Sequence, residues 1–171
     1  MYTAQQKNMG PFVIRYPRGN GTTVNWRQPF KSISVGKGQK IKDGDEIAIL
    51  SIGPIGNEAI KTTLELESSG INIAHYDMRF IKPLDEELLH KICKTHKKLV
   101  TLEDGCLHGG MGSAVLEFMS DNGYSLQVKR LGIPDKFIEH GSQKELYKEC
   151  GYDSNAIRET IISLVNSKIS I

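Results

Sequence analysis

Arg18 stands in Tyr16-Pro17-Arg18-Gly19-Asn20, where the short apolar run Phe12-Val13-Ile14 gives way to a turn. A guanidinium keeps its charge at any working pH and offers paired donors that fit a phosphate or carboxylate bidentately. Pro17 fixes φ, and Gly19 lets the backbone turn sharply or approach a ligand closely. An arginine held between such residues is better placed to take an anion than one on a free surface helix. By itself the motif also suits a surface turn with an incidental arginine.

A second group of residues invites chemistry further along. Gly105, Gly109, Gly110 and Gly112 precede a helix start and could cradle a phosphate with backbone N–H groups. No Gly-Lys-Ser/Thr follows, and Gly110-x-Gly112 meets Val115 where a dinucleotide fingerprint wants a third small residue. The loop is therefore expected to pack closely against a neighbouring domain. Glu103 and Asp104 are adjacent at a strand end and suggest acid–base work. Neighbours on an extended chain point to opposite faces, so hydrogen bonding to the glycine loop is the expected role. His75, His90, His96, His108 and His140 show no short ligand spacing, and no metal site is expected. His108 and His140 fall in loops on the expected ligand side and are read as loop or interface hydrogen-bonders. No serine sits in a nucleophile elbow and no triad can be assembled. On its own residues the chain does not read as a self-sufficient enzyme.

The elements that would position these groups alternate. Glu46 to Ile52 is a strand with a continuous apolar run, as expected when both sheet faces are covered. Asp43-Gly44 before it suggests a hairpin turn back to residues 33–40. Asn57 to Ser69 is a helix with Ile60, Thr63 and Leu64 on one face and Gly70 as its stop. Ile71 to Met78 is the next strand. Asp85 caps a helix with Leu88, Leu89 and Ile92 inward, and Leu99 to Leu102 is a third buried strand. Gly112 opens a helix with Ala114, Val115, Phe118 and Met119 buried and Gly123 at its end, and Leu126 to Leu131 is a fourth strand. Ser142 and Glu145 form a capping box for a short helix, and Asp153 starts the last one, with Ile157, Ile161, Leu164 and Val165 inward. The order β-α-β-α-β-α-β-α-α gives a three-layer αβα sandwich with a mostly parallel sheet. Such folds bind ligands beyond the carboxyl ends of their strands. Four loops lie there: Gly53 to Gly56, Met78 to Leu84, Glu103 to Gly112, and Gly132 to Gly141.

Composition narrows the field. With 171 residues, 39% of them apolar and 25% charged, the chain can bury one good core and is not disordered. The 22 basic and 20 acidic residues are interleaved and leave a formal charge of +2, so nucleic acid is not an indicated partner. The densest basic cluster, Lys94, His96, Lys97 and Lys98, suits a solvated helix C-terminus. Cys93, Cys106 and Cys150 are odd in number and widely spaced, which fits a reducing cytoplasm. No export signal and no membrane-length apolar run is visible.

Four blocks in one order carry a resemblance. They are Gly10 to Asn20 around Tyr16-Pro17-Arg18-Gly19, Asp77-Met78-Arg79-Phe80-Ile81-Lys82-Pro83-Leu84-Asp85, Glu103-Asp104-Gly105 with Gly109 to Ser113, and Leu131-Gly132-Ile133-Pro134-Asp135. Together they resemble the C-terminal part of the 1-deoxy-D-xylulose-5-phosphate synthases, a thiamine-diphosphate family of the transketolase superfamily. The resemblance implies that residues 1–20 end a pyrimidine-binding domain, 21–34 are a linker, and 35–171 form a transketolase C-terminal domain. It implies a parent enzyme that condenses pyruvate with glyceraldehyde 3-phosphate and releases carbon dioxide, using thiamine diphosphate and Mg2+, in the cytoplasm of bacteria or in plastids. Its product feeds isoprenoid, thiamine and pyridoxal phosphate synthesis. The family binds the cofactor diphosphate with a Gly-Asp-Gly motif, to which Asp43-Gly44-Asp45 bears only a superficial likeness. No cofactor is thus expected on this fragment. Arg18 matches the family arginine that binds the acceptor phosphate, and the third domain supports domain packing with the upstream domains and a homodimer.

Two alternatives stay open. One is the C-terminal region of the β component of a 2-oxoacid dehydrogenase, where the domain serves assembly and partner contact. The other is a stand-alone anion-binding module using Arg18 and the glycine loop. The Tyr-Pro-Arg-Gly-Asn and Asp-Met-Arg-Phe-Ile-Lys-Pro-Leu-Asp segments favour the synthase over the first. Phe12 to Tyr16 should belong to a sheet whose other strands are absent, leaving residues before about Ser32 mobile or paired with another copy.

Overall fold

Ile47 to Leu50 form an unbroken apolar run, and the strand that they begin lies at the centre of the sheet with both faces covered. The computed structural model of the chain describes residues 1–17 and 27–167. Arg18 and residues 21–26 of the linker lie outside the described residues. The chain divides into two units, Met1–Val35 and Gly36–Ile171.

The second unit contains β1 (Gln39–Lys42), β2 (Ile47–Ile52), α1 (Gly56–Glu67), β3 (Ala74–Asp77) and α2 (Glu86–Thr95). These are followed by β4 (Lys98–Cys106), α3 (Met111–Asp121), β5 (Gln127–Ile133), α4 (Gln143–Glu149) and α5 (Ser154–Asn166). The strand order is β1-β3-β2-β4-β5. β3, β2, β4 and β5 run parallel, and β1 is antiparallel at the edge. Alternate strand residues feed two cores. Ala48, Leu50, Tyr76 and Leu99 meet Leu89 and Ile92 of α2 and Val115 and Phe118 of α3. Ile47, Ile49, Val100 and Leu102 meet Ala59 and Leu66 of α1 and Ile157 and Ile161 of α5. The three-layer αβα sandwich with a mostly parallel sheet is thus the fold observed.

Local signals set the helix ends. Asp85 accepts the Leu88 amide at 3.1 Å as the cap of α2, and its other oxygen takes the Gly38 amide at 2.9 Å. Ser142 and Glu145 form the expected capping box of α4, and Asp153 caps α5 through the Ala156 amide at 2.9 Å. α1 stops at Gly70, where the Ile71 amide returns to the Leu66 carbonyl at 3.0 Å.

Four expectations are corrected. β1 pairs with β3, not with β2 in a hairpin, because β2 already has β3 and β4 on its two sides. Gly44 makes the passage possible: a Cβ there would lie 2.0 Å from the Ala74 nitrogen. The buried face of α1 is Gly56, Ala59, Thr62, Thr63 and Leu66, while Leu64 is exposed, because small residues let the helix sit close over Ser51 and His75. Val165 also faces out, while Leu164 beside it is buried in the core. The basic cluster splits: Lys94 and Lys97 are exposed, but His96 and Lys98 are buried. Lys98 is 4% exposed, and its ammonium donates to the carbonyls of Leu164 and, at 2.8 Å, of Ser167, closing the C-terminus of α5.

In the first unit a 3-10 turn spans Thr3–Gln5, the Thr3 hydroxyl accepts the Ile33 amide at 3.0 Å, and Tyr2 stacks on Phe30. Residues 12–17 form no strand, and Val13 is 95% exposed. A lone strand has no partner for its backbone groups and gains nothing by extending.

Candidate functional site

The parallel strands direct four loops to one edge of the sheet. At the end of β4 the two acidic neighbours part, as an extended chain requires. Glu103 is 2% exposed and turns towards α3, where its carboxylate accepts the amides of Met111 at 2.8 Å and Gly112 at 2.9 Å. Asp104 turns the other way and accepts the hydroxyls of Tyr152 at 3.0 Å and Tyr147 at 3.4 Å. Burial and the Asp104 charge push both tyrosine hydroxyls far above their ordinary range, so they remain donors.

The glycine loop is braced from within the domain. A Cβ on Gly110 would meet a Glu103 carboxylate oxygen at 2.2 Å, and one on Gly112 the Thr101 hydroxyl at 2.6 Å. Arg130 of β5 donates to the Leu107 carbonyl at 2.7 Å and the Ser113 hydroxyl oxygen at 3.1 Å, and the Gly109 amide donates to Ser113 at 3.0 Å. Helix N-termini attract anions. Here that position is taken by the protein's own carboxylate, so an external phosphate or diphosphate does not fit there. Sequence reasoning saw Glu103 as a partner of the loop but missed the bracing by Arg130, which comes from a different strand.

At the end of β3, Asp77 accepts the Arg79 amide at 3.1 Å, and the Arg79 guanidinium reaches both the Asp77 carboxylate and the side-chain amide oxygen of Gln39. Burial holds the Asp77 carboxyl above its ordinary range, ahead of the opposing pull of Arg79. Below this loop, Ser51 and His75 share a hydrogen bond of 2.7 Å. Each is 1% exposed, and among the described residues His75 Nδ1 has no hydrogen-bond partner. Burial lowers the His75 pKa to about 4, which keeps the ring neutral. A serine–histidine pair sealed under α1 cannot meet a substrate, and its place is in the core. His96 Nδ1 donates to the Asp45 carbonyl at 2.6 Å, leaving Nε2 to accept from the Tyr76 hydroxyl at 3.1 Å.

His108 and His140 are both exposed, and His108 Nδ1 lies 4.0 Å from an Asp135 oxygen. Among the described residues no three His, Cys, Asp or Glu side chains are grouped to hold a metal ion. No described helix is long and apolar enough to cross a membrane. The described residues thus bring together a braced loop system rather than a solvent-facing nucleophile and base.

Fold and loops define a class. Residues 36–157 match the family described as transketolase, C-terminal domain, and the chain belongs to that family. The particular relatives are 1-deoxy-D-xylulose-5-phosphate synthases. That of Cytophaga hutchinsonii is 59% identical over 96% of this chain, and that of Bacteroides thetaiotaomicron 57% identical over 95%. That of Bacillus cereus is 41% identical over 98%. The chain spans about a quarter of the length of these relatives, at 26%, 25% and 27%. Among solved structures, a split-gene transketolase in an inactive β4 tetramer superposes with a TM-score of 0.72 at 28% identity, covering 78% of this chain and 43% of that one. Transketolase of Campylobacter jejuni superposes with a TM-score of 0.56 over 75% of this chain and 18% of its own, and at 16% identity shares the fold. The resemblance drawn from the four sequence blocks is borne out.

Proposed function

We propose that this chain is the C-terminal part of a synthase that joins pyruvate and D-glyceraldehyde 3-phosphate to give 1-deoxy-D-xylulose 5-phosphate and carbon dioxide. The observation that carries the reading is 59% identity to such a synthase across 96% of this chain. In this reading the segment packs against the upstream domains, contributes to a homodimer in a bacterial cytoplasm, and supplies Arg18 to the acceptor phosphate. A dianionic phosphate remote from the reacting carbon gives binding energy that positions the aldehyde. Thiamine diphosphate with Mg2+ would supply the carbon–carbon bond chemistry from the other domains. No step of that chemistry is assigned to the residues of this segment: the N-terminus of α3, behind the Gly105 to Gly112 loop, is filled by Glu103.

The test is an assay of the longer chain carrying this segment, supplied with pyruvate, glyceraldehyde 3-phosphate, thiamine diphosphate and Mg2+. Formation of deoxyxylulose phosphate is expected from that chain and not from the 171-residue segment alone. A longer chain that decarboxylates a 2-oxoacid but transfers nothing to the phosphorylated aldehyde would refute the reading.

A further inference from the structure

Helix α3 closes on the pair Asn122-Gly123, and residues 120–123 are all exposed. An asparagine followed by glycine is the pair in which the next backbone nitrogen attacks the side-chain amide most readily, because glycine has no side chain to crowd that nitrogen. At Asn122 the helix end governs whether it can. Gly123 takes a φ of +69°, and its amide donates to the Ser120 carbonyl at 3.3 Å, while the Tyr124 amide returns to the Met119 carbonyl at 2.9 Å. The Asn122 side-chain nitrogen donates to the Phe118 carbonyl at 2.9 Å. Tyr124 holds the turn from outside: its ring stacks on Phe118 with centroids 6.2 Å apart, and its hydroxyl shares a hydrogen bond of 2.8 Å with His90 of α2.

In the closed turn both reacting groups are engaged, the attacking nitrogen by Ser120 and the departing amide by Phe118. Ring closure also needs an Asn122 ψ far from the 8° of the folded turn. The restraint on the attacking nitrogen is nevertheless the longest of the three bonds, and exposed helix ends open at little cost.

We propose that Asn122 is a site of spontaneous deamidation, with opening of the last turn of α3 as its gate. The Gly123 nitrogen attacks the Asn122 side-chain carbonyl carbon. A C–N bond forms to close a five-membered succinimide, the bond from that carbon to Nδ2 breaks, and ammonia leaves with the proton of the Gly123 amide. Water then opens the ring at the side-chain carbonyl to give aspartate, or at the main-chain carbonyl to give isoaspartate, in which the chain runs through Cβ. Nothing is oxidised or reduced. Neither product suits the helix end. No basic residue stands in the last turn of α3, so a carboxylate at 122 meets the negative end of the helix beside Asp121. Aspartate cannot donate to the Phe118 carbonyl, and isoaspartate displaces Gly123 and Tyr124 from their return bonds. The reaction thereby loosens the contact that Tyr124 makes with α2.

The test follows the purified full-length protein in mildly alkaline buffer by peptide mapping, which separates this site from the other Asn-Gly pair, Asn20-Gly21. A synthetic peptide of residues 118–126 serves as the ungated reference. Deamidation at Asn122 is expected about tenfold slower in the folded protein than in the peptide, several-fold faster in Tyr124→Ala than in wild type, and unchanged in Tyr124→Phe. Absence of aspartate and isoaspartate at 122 once the peptide has fully converted overturns the site. A folded rate equal to that of the peptide, or an unchanged rate in Tyr124→Ala, overturns the gate.

Discussion

Glu103 and Gly112 are joined across the mouth of the β4–α3 loop, the Gly112 amide donating to the Glu103 carboxylate at 2.9 Å, with the Met111 amide beside it at 2.8 Å. A buried acid on strand β4 thereby does what a capping side chain does elsewhere, satisfying two free amides at the positive end of α3. Glu103→Ala leaves those amides buried and unpaired, and should lower the unfolding free energy by about 2–4 kcal/mol in urea denaturation. Glu103→Gln keeps one acceptor and should lose about half of that. An alanine variant as stable as wild type would show that water replaces the carboxylate at no cost.

His75 makes stability depend on pH. Burial holds its pKa near 4 in the folded chain, against 6.5 when free. Below pH 6.5 the unfolded chain binds a proton that the native ring refuses, so this stability is present above pH 6.5 and is lost as the pH falls towards 4. Between pH 7 and pH 5 the wild type should lose about 2 kcal/mol more than His75→Gln. Denaturant midpoints at the two pH values measure the difference, and parallel losses in both proteins would remove His75 as the cause.

Lys98 is the least expected of the buried side chains, and its ammonium ties strand β4 to the last carbonyls of α5. Lys98→Met preserves the stem but leaves those carbonyls without a donor. A loss of about 1–3 kcal/mol is expected, together with faster amide exchange in the last turn of α5. Equal exchange in that turn would show that the helix end is held by packing alone.

What was legible in the sequence was local. Asp85, Ser142 with Glu145, Asp153 and Gly70 act within a turn or so of themselves, and each marks the helix end that it was expected to mark. Partner choice was not legible. Asp43-Gly44 looks like a hairpin turn, yet the sheet places β1 beside β3, with Gln39 opposite Asp77. Likewise, of Ile60, Thr63 and Leu64 on α1 only Thr63 is fully buried, and Ala59, Thr62 and Leu66 join it in facing the core. Lys98 was counted with its basic neighbours because nothing nearby in sequence announces the carbonyls of residues 164 and 167. In the candidate site, the divergence of Glu103 and Asp104 followed from strand geometry alone, but Arg130 and the two tyrosines arrive from other elements.

Arg18, the residue on which the proposed acceptor site depends, is tested most directly by steady-state kinetics of the full-length synthase with and without Arg18→Ala. Loss of a charged phosphate contact should reduce kcat/KM for glyceraldehyde 3-phosphate by about 2–4 kcal/mol, and change the value for unphosphorylated glyceraldehyde far less. An Arg18→Ala enzyme with unchanged KM and kcat for the phosphorylated acceptor would contradict the assignment, and a wild type that makes no deoxyxylulose phosphate would contradict the function itself.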